Sequence, residues 1–331
     1  MDTIDLVTSQ CPRIEQDLSG ETILIFGGSG SLGKEAVHRW VATNKIINVS
    51  RDEEKQWMLK MSVRHPNLSQ MIGDISVEDD VMRAILTFRP SIVCIFACLK
   101  HIDLCELYPA KSVANNTNGI MNVHTVLQKY ASGHDVKRVL FVSTDKACMP
   151  ITTYGCSKAI SEFFLQGVAP GRTKWVGIRY GNVLNSSGSI IPYLTANGPT
   201  STPYTLTHTD MTRFIMTLPQ SVNLIEYALE YGKHNEIIIP FIHAMKISDL
   251  FSIFERKYQK GRLVTGLRCK EKIHEDLISV SEAKNTYRRG AYFHVTPKEV
   301  VDEPTVMPFD SSMNLLTSDR LEAYLTAQGH V

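Results

Sequence analysis

The sequence has almost no net charge. Its 35 lysine and arginine residues are balanced by 34 aspartate and glutamate residues, which leaves a formal charge of +1 at pH 7. This balance excludes a global electrostatic field that would attract nucleic acid or an anionic membrane surface, so neither is an expected partner. An anionic ligand would have to be held by a local pocket.

Long hydrophobic runs are also absent. No stretch approaches the roughly 20 consecutive apolar residues that a membrane-spanning helix needs. Residues 1–20 carry acidic side chains where a signal peptide begins with basic ones, and no apolar run follows them directly. We therefore expect a soluble, cytoplasmic protein.

The cysteines do not form an obvious disulfide framework. There are 7 of them, an odd number, and several lie in segments predicted to be strand, helix or site loop, so a reduced protein is the simpler interpretation. Cys94 and Cys98 have the spacing of half a zinc site, but no second pair or histidine cluster lies at ligand spacing. No metal is expected.

The chain does contain a regular alternation of short β-branched runs with segments of helical length. The predicted strands are 22–27, 46–50, 91–97, 138–144 and 174–180. The predicted helices are 31–41, 54–63, 79–88, 110–130 and 152–165. Such alternation is typical of an α/β fold with a Rossmann-like, doubly wound parallel sheet and helices on both faces.

This regularity ends near residue 182, where turn-forming stretches at 185–188 and 197–203 interrupt the pattern. A predicted helix over 212–231 and a strand over 236–239 are expected to return to the first domain. We divide the chain into an N-terminal extension (1–20), an NADP-binding Rossmann domain (21–181) and a smaller, mainly substrate-binding lobe (182–331).

A glycine-rich segment connects the first predicted strand to the first predicted helix, the context that a dinucleotide phosphate loop requires. Glycines permit a tight turn and close approach of the backbone, and free N–H groups at the helix start can bind a pyrophosphate. A flexible turn is the alternative interpretation of these glycines, and their position between a strand and a helix argues against it. The candidate cofactor-binding residues here are Gly27, Ser29, Gly30, Ser31, Leu32 and Gly33.

The end of the second predicted strand indicates which dinucleotide binds. Ser50 and Arg51 stand about where the adenosine ribose should lie. A carboxylate at this point favours NAD, whereas arginine with serine favours the 2′-phosphate of NADP. Asp52 and Glu53 follow, and acids at an exposed helix N-terminus explain them equally well. The sequence therefore predicts NADP.

A second motif follows the fourth predicted strand. Asp145 and Lys146 come directly after it, and Tyr154 and Lys158 follow four residues apart, on one face of a helix. A nearby ammonium favours the phenolate form of tyrosine, which can take a proton from a substrate hydroxyl while a hydride leaves the same carbon. A surface ion pair is the alternative for Asp145 and Lys146. Ligands bind where the strands of such a sheet end, so we predict a catalytic site that also includes Thr144.

Several motifs resemble those of one enzyme family over nearly the whole chain. They are Ser50-Arg-Asp-Glu53, Ser143-Thr-Asp-Lys-Ala147, Tyr154-Gly-Cys-Ser-Lys158, Arg179-Tyr-Gly-Asn-Val183, Met211-Thr-Arg-Phe214 and Gly266-Leu-Arg268 with Glu271-Lys-Ile-His-Glu275. The chain resembles the UDP-N-acetylglucosamine 4,6-dehydratases of the extended short-chain dehydrogenase/reductase family, especially their soluble, 5-inverting type. Tyr154 supports this type, because the retaining enzymes and some other inverting ones have methionine there.

The resemblance implies that NADP takes a hydride from C4 of the sugar, water is lost across C5 and C6, and the hydride returns to C6. Lys146 would be the C5 base and Asp145 the acid, with Tyr154 and Lys158 serving C4 oxidation. The cofactor would stay tightly bound and be regenerated in each turnover, and the protein would be a homo-oligomer.

The resemblance also implies further contacts. The implied substrate contacts are Lys100, Asn182, Arg213, Arg268 and Glu271, of which the two arginines suit a diphosphate. The remaining cofactor candidates are Lys55, Asp74, Ile75, Ala97 and Val183, although a simple turn explains 73–75 nearly as well.

Two departures from the family pattern affect the packing of the pocket. Phe26 stands where threonine is usual, and Ile95-Phe96 replaces a His-Ala pair. Three alternative functions remain open. The first is a UDP-sugar 4-epimerase, which needs no C5 base. The second is a reductase that consumes NADPH, and the third is a non-catalytic NADP sensor, which would not require Tyr154, Lys158 or the pair of Asp145 and Lys146.

Overall fold

The computed structural model describes residues 11–14, 18–130, 132–298 and 306–331. The strands are β1 (Thr22–Phe26), β2 (Lys45–Ser50), β3 (Leu68–Ile72), β4 (Ile92–Ile95), β5 (Arg138–Val142), β6 (Lys174–Ile178), β7 (Asn182–Val183), β8 (Tyr204–Leu206), β9 (Thr212–Met216), β10 (Glu236–Pro240), β11 (Ala244–Lys246), β12 (Arg262–Val264), β13 (Asp276–Ile278), β14 (Thr286–Arg289), β15 (Tyr292–Val295) and β16 (Phe309–Asp310).

The helices alternate with the first six strands and then become less regular. They are α1 (Ser31–Trp40), α2 (Glu53–Val63), α3 (Glu78–Phe88), α4 (Ile102–Leu107), α5 (Pro109–Asn116), α6 (Asn118–Lys129), α7 (Thr153–Gly167), α8 (Ile190–Asn197), α9 (Leu218–Tyr231), α10 (Ile247–Tyr258), α11 (Val280–Ala283) and α12 (Ser318–Ala327). In the described part of the chain, no helix is long and apolar enough to cross a membrane.

The largest sheet within the described residues has nine strands, in the order β14-β15-β10-β6-β5-β4-β1-β2-β3. The strands from β3 to β10 run parallel, and β15 and β14 complete the sheet in antiparallel pairing. The central strands are buried on both faces, which suits their continuous β-branched and apolar sequences. The predicted doubly wound α/β fold is confirmed.

The strand order reverses between β1 and β4, and this reversal opens a crevice at their carboxyl ends. The smaller lobe lies beyond β6 and has a core of its own, in which Leu194, Tyr204, Ile215 and Phe254 are buried. A short sheet of β11, β9 and β7 belongs to this part of the chain.

The predicted helix over 212–231 is wrong in its first part. Thr212–Met216 forms β9, which pairs with β7 and β11 because its β-branched and aromatic side chains are buried along the whole strand. Only Leu218–Tyr231 is helical, and it begins at a capping box between Thr217 and Gln220. This helix, α9, contacts α1, and β10 pairs in parallel with β6.

The predicted helix over 110–130 is two helices, α5 and α6, which meet at Thr117. The Thr117 hydroxyl donates a hydrogen bond to the carbonyl of Ser157 on α7 at 3.0 Å. The helical hydrogen bond from the Met121 N–H to the Thr117 carbonyl is 3.4 Å long. The side-chain contact with α7 therefore competes with regular helical geometry at this point.

A buried arginine joins β6 to α7, β13 and α11. Arg179 follows β6 and is only 2% exposed. Its guanidinium donates to Glu162 on α7 at 3.1 Å, to Glu282 on α11 at 2.7 Å and to the carbonyl of Leu277 on β13 at 2.8 Å. Burial alone would raise the pKa of Glu282, but the Arg179 charge outweighs it and lowers that pKa to about 2.

We expect Arg179→Met to lower the free energy of unfolding by about 3 to 5 kcal/mol, because Glu162 and Glu282 would be left as buried charges without their cation. Urea unfolding followed by circular dichroism measures this loss. Adding Glu162→Gln and Glu282→Gln to the same protein should recover much of it. A triple variant as unstable as the single one would contradict the electrostatic explanation.

Candidate functional site

The glycine-rich loop lies in the crevice between β1 and β4 and is tightly packed. Gly27 has a φ of +93°, and a Cβ atom there would lie 2.7 Å from the backbone nitrogen of Ala97. A Cβ on Gly33 would lie 2.4 Å from the Cα of Gly28. These glycines are required by the chain itself, since any side chain would displace backbone.

Gly30 differs from these glycines. A Cβ on Gly30 would meet only the Gly27 carbonyl oxygen, at the ordinary contact distance of 3.4 Å. It is the N-cap of α1, and no side chain caps the first turn, so the N–H groups of that turn remain available for an anion. An open backbone surface at a helix N-terminus fits the pyrophosphate of a dinucleotide. Ser31 and Leu32 open this helix.

The candidate ribose contacts come together at the end of β2. The hydroxyl of Ser29 donates to that of Ser50 at 2.9 Å. Arg51 is more than half exposed and forms an ion pair with Asp74 at 3.3 Å. Because this pair is exposed, it contributes little to stability and the guanidinium can turn towards a phosphate.

The next three candidates lie at the start of α2 and stabilise it. Asp52 is the N-cap of this helix and accepts a hydrogen bond from the Lys55 backbone at 3.0 Å. The Lys55 ammonium also pairs with the Asp52 carboxylate at 2.7 Å, and Glu53 is an acid in the first turn. The structure thus gives these residues a helix-capping role.

The other cofactor candidates border the same crevice. The Ala97 N–H donates to the Phe26 carbonyl at 2.7 Å, directly beside Gly27. Ile75 is buried against Gly119. Val183 is farther along the chain, in β7, where it pairs with Met216.

The proposed acid and base lie where β5 ends. Asp145 and Lys146 form a single turn of 3₁₀ helix that begins after Thr144. The carboxylate of Asp145 accepts hydrogen bonds from the Thr144 hydroxyl at 2.9 Å and from the Lys146 ammonium at 3.1 Å. Asp145 is fully buried, and its Oδ2 atom has no hydrogen-bond partner among the described residues. This oxygen is free to meet a substrate.

A second carboxylate, which we did not predict, faces Lys146. Glu275 is buried, and its Oε1 atom lies 3.4 Å from the Lys146 ammonium and 3.8 Å from the Nε atom of Arg213. Burial would lower the pKa of Lys146, but Asp145 and Glu275 together raise it. The resemblance included the segment that ends at Glu275, but no local pattern indicated which group this residue would face.

The predicted phenolate is not the favoured form of Tyr154 in this structure. Burial raises the pKa of Tyr154 well above its usual value, and a hydrogen bond with the Thr144 hydroxyl acts only weakly in the other direction. The ammonium of Lys158 donates to the Val142 carbonyl and lies 3.9 Å from the centre of the Phe141 ring. Burial lowers the pKa of Lys158 to about 8.

The proposed substrate contacts divide into exposed and buried groups. Arg268 is 65% exposed and pairs with Glu271 at 3.1 Å. Lys100 donates to the backbone carbonyl of Ser187 at 2.8 Å. Arg213 is buried instead, with its guanidinium hydrogen-bonded to the carbonyl oxygens of Thr212, Lys272 and Ile273. Arg213 therefore already has its hydrogen-bond partners within the protein.

Several buried oxygens on the Asp145 turn and on the segments around it lack a hydrogen-bond partner among the described residues. They are the Oγ of Ser143, the Oδ2 of Asp145, the Oδ1 of Asn182 and the Oε2 of Glu275. Such atoms are costly unless a ligand or water satisfies them.

Comparison with known proteins agrees with this geometry. The chain matches the family of polysaccharide biosynthesis proteins over residues 23–297. It belongs to this family. It is 33% identical over 309 residues to the inverting UDP-N-acetylglucosamine 4,6-dehydratase of Campylobacter jejuni, which covers 90% of this chain and 88% of that enzyme. It is also 32% identical over 291 residues to the UDP-glucose 4-epimerase of Rickettsia typhi, covering 83% of this chain and 82% of the epimerase.

Solved structures agree on the fold. Pen from Bacillus thuringiensis superimposes with a TM-score of 0.87 at 25% identity, over 96% of this chain and all of that one. The dTDP-glucose 4,6-dehydratase DesIV from Streptomyces venezuelae gives a TM-score of 0.68 at 17% identity, over 76% of this chain and 86% of its own. The predicted membership of the extended short-chain dehydrogenase/reductase family is confirmed, and the similar proteins include nucleotide-sugar dehydratases and epimerases.

We expect Gly33→Ala to reduce dinucleotide affinity about tenfold or more, because the added methyl group forces the loop backbone away from α1. Titration with reduced nicotinamide dinucleotide, followed by fluorescence, measures the change. Gly167→Ala is the matched control, since a Cβ there would meet no atom within 4 Å. Equal affinities in the two variants would show that the packed loop does not form the dinucleotide site.

Proposed function

We propose that this protein is an NADP-dependent 4,6-dehydratase that acts on UDP-N-acetylglucosamine. The observation that carries the proposal is the pairing of a buried acid, Asp145, with an amine, Lys146, where β5 opens into the cleft. Elimination of water needs a group that removes a proton and a group that protonates the departing hydroxyl. An epimerase that only oxidises and reduces C4 needs neither.

The residues present account for each proton. Tyr154 takes the proton of the C4 hydroxyl, and bound NADP would supply the hydride acceptor and return the hydride to C6. Lys146, as a free amine, removes the C5 proton, and the electron pair of that C–H bond forms the C5–C6 double bond. The C6–O bond breaks, and the hydroxyl leaves as water with the proton of Asp145. A proton from solvent then reaches C5 on the face opposite Lys146, which inverts this carbon, and Lys146 releases the proton that it took. The Tyr154 proton is released as Asp145 is protonated again.

The electrostatics of Tyr154 indicate when oxidation can occur. Because burial favours the neutral phenol, forming the phenolate requires additional positive charge in the cleft. Lys158 on the same helix supplies one charge, and an oxidised nicotinamide ring would supply another. Proton removal from C4 is therefore coupled to the presence of the oxidised cofactor.

The proposed product is a UDP-2-acetamido-2,6-dideoxy-4-keto-hexose with inverted configuration at C5. Tyr154 and the similarity to the inverting enzyme of Campylobacter jejuni support the inversion. The exposed guanidinium of Arg268, with Glu271 beside it, is positioned to bind the UDP group. Asn182 offers an unpartnered buried oxygen to the sugar.

A UDP-sugar 4-epimerase is the second candidate. The identity to the Rickettsia epimerase is nearly the same as the identity to the dehydratase, so similarity alone does not favour either activity. The two reactions share C4 oxidation by Tyr154 and Lys158. They differ in the need for Lys146 and Asp145.

We also propose that the protein is a homo-oligomer, as the resemblance implied. Apolar side chains are exposed on two helices in contact, α4 and α7, where Leu104, Leu107, Ile160 and Phe163 all face solvent. A patch of this kind is typical of an interaction surface.

We expect the protein to prefer NADP to NAD, because Ser50 and Arg51 can hydrogen-bond a 2′-phosphate. Arg51→Glu should reverse or abolish the preference, since a charge-assisted hydrogen bond contributes on the order of 1.5 to 3 kcal/mol. Calorimetric titration with both dinucleotides measures the two affinities and hence the preference. Lys60→Glu, an exposed charge reversal on α2, is the control. Equal affinities in the unmodified protein would contradict the NADP assignment.

We expect purified protein to convert UDP-N-acetylglucosamine to a product lighter by one water, and Lys146→Ala to lose this conversion while still binding NADP. In heavy water the unmodified protein should place one deuterium at C5, because that proton is exchanged, whereas the hydrogen gained at C6 should come from C4 of the same sugar. Mass spectrometry and proton NMR measure both. Lys60→Ala is the matched control.

A fully active Lys146→Ala protein, or a product that keeps its original hydrogen at C5, would exclude the elimination. The 4-epimerase would then take its place, and its signature would be a UDP-sugar product of unchanged mass.

A further inference from the structure

A second buried carboxylate stands directly behind the proposed acid–base pair. Glu275 belongs to the segment that precedes β13, far from Lys146 in sequence, yet its carboxylate lies 3.4 Å from the Lys146 ammonium. The ammonium is therefore held between two carboxylates, Asp145 at 3.1 Å and Glu275. The side chains of both acids are at most 6% exposed, so water screens this contact weakly.

Glu275 is anchored by its backbone rather than by its carboxylate. Its N–H donates to the Ser311 hydroxyl at 2.9 Å, and its carbonyl accepts from the Ser311 N–H at 2.8 Å. The Ser311 hydroxyl in turn donates to the Thr212 carbonyl at 3.1 Å, next to Arg213. Because the backbone is fixed on both sides, the carboxylate is positioned without needing the Lys146 charge.

The charged groups around Lys146 are balanced. Asp145 and Glu275 supply two carboxylates, and Lys146 and Arg213 supply two cations. Tyr154 on α7 is a neighbouring phenol, whose pKa is raised by burial and also by Asp145. Moving one proton from Lys146 to Asp145 creates the acid and the free amine that the proposed elimination needs. The charges that remain, on Glu275 and Arg213, still cancel.

We propose that Glu275 is a positioning residue that holds the Lys146 ammonium at the reacting face of the cleft and controls when this group releases its proton. This inference rests on the proposed function, in which Lys146 removes the C5 proton. The Oε2 atom of Glu275 has no hydrogen-bond partner among the described residues. It can therefore accept a hydrogen bond from Lys146 when that group changes its protonation state.

The direction of the effect follows from the neighbouring charges. Glu275 and Asp145 favour the ammonium, whereas Arg213 disfavours it. Replacing Glu275 by glutamine removes one favourable charge and leaves Arg213 in place, so the pKa of Lys146 should fall. The competent form needs one proton shared between Asp145 and Lys146, so activity falls as pH rises and this proton is lost. In Glu275→Gln this fall should occur at lower pH, and the maximal rate should fall because the amine is a weaker base.

The test combines two measurements on the full-length protein loaded with NADP. The first is the pH profile of kcat for water loss from UDP-N-acetylglucosamine, in which Glu275→Gln should move the falling limb down by about one pH unit or more. The second is NMR titration of protein labelled with ¹³C-lysine, in which the Lys146 resonance is identified by its loss in Lys146→Arg. That resonance should titrate at lower pH in Glu275→Gln by a similar amount.

Two further variants control the experiment. Glu275→Asp keeps the charge and should return the Lys146 titration towards that of the unmodified protein. Glu322→Gln makes the same chemical change on α12, where the side chain is exposed and pairs with Arg256 at 2.7 Å, and it should leave both curves unchanged.

The outcomes separate this inference from the proposed function. A lower rate with both curves unmoved would overturn the inference, because Glu275 would then only support the structure. If Glu275→Gln does not fold, Glu275→Ala removes the same charge, and an unshifted Lys146 titration in that variant would overturn the inference as well. If the Lys146 titration shifts but the unmodified protein releases no water, the proposed function fails while the control of Lys146 by Glu275 stands.

Discussion

The buried guanidinium of Arg179 is the constraint on which the site depends. It follows β6 and hydrogen-bonds the backbone of Leu277 on β13, besides two carboxylates. Leu277 lies two residues after Glu275, so this contact fixes how closely the segment before β13 approaches the Asp145 turn. A buried ion network is a weak source of stability, but its geometry is specific, because every charge must meet its partner. The Asp145 turn and the segment before β13 are therefore held at one defined distance from each other.

Burial and neighbouring charges together set the pKa values of the basic groups and the tyrosine in the cleft. Burial favours a neutral tyrosine and neutral lysines, and it raises the pKa of Tyr154 and lowers that of Lys158. At Lys146 the two carboxylates outweigh burial and favour the ammonium. Two lysines twelve residues apart thus have pKa values displaced in opposite directions. Because the pKa values of the two lysines differ, one amine can assist oxidation while the other serves as a proton carrier.

The parts of the site that the sequence could predict are those formed by neighbouring residues. The glycine loop lies between β1 and α1, and the Asp145 turn follows β5. Short-range patterns in the sequence were enough to predict where each would lie. Glu275 was missed because its role arises only when two distant segments meet. The strand at 212–216 was misread as helix because it runs directly into the apolar, helical segment of α9, and only pairing with β7 and β11 distinguishes the two. The sequence also could not predict that Tyr154 favours its neutral form, because the burial of this side chain depends on the whole fold.

Dehydratases and epimerases on this fold share everything up to the oxidised sugar. A glycine loop, a Tyr-Lys pair and a groove for UDP serve both reactions, which explains why overall identity to the two kinds of enzyme is so similar. After oxidation the C5 proton becomes acidic in both, and an epimerase must avoid placing a base near it. Here an amine and a carboxylate lie side by side on one turn, and a second carboxylate lies 3.4 Å from the amine. Desolvating two carboxylates is costly, and the proposed elimination gives this arrangement a use, because it requires both a proton acceptor and a proton donor.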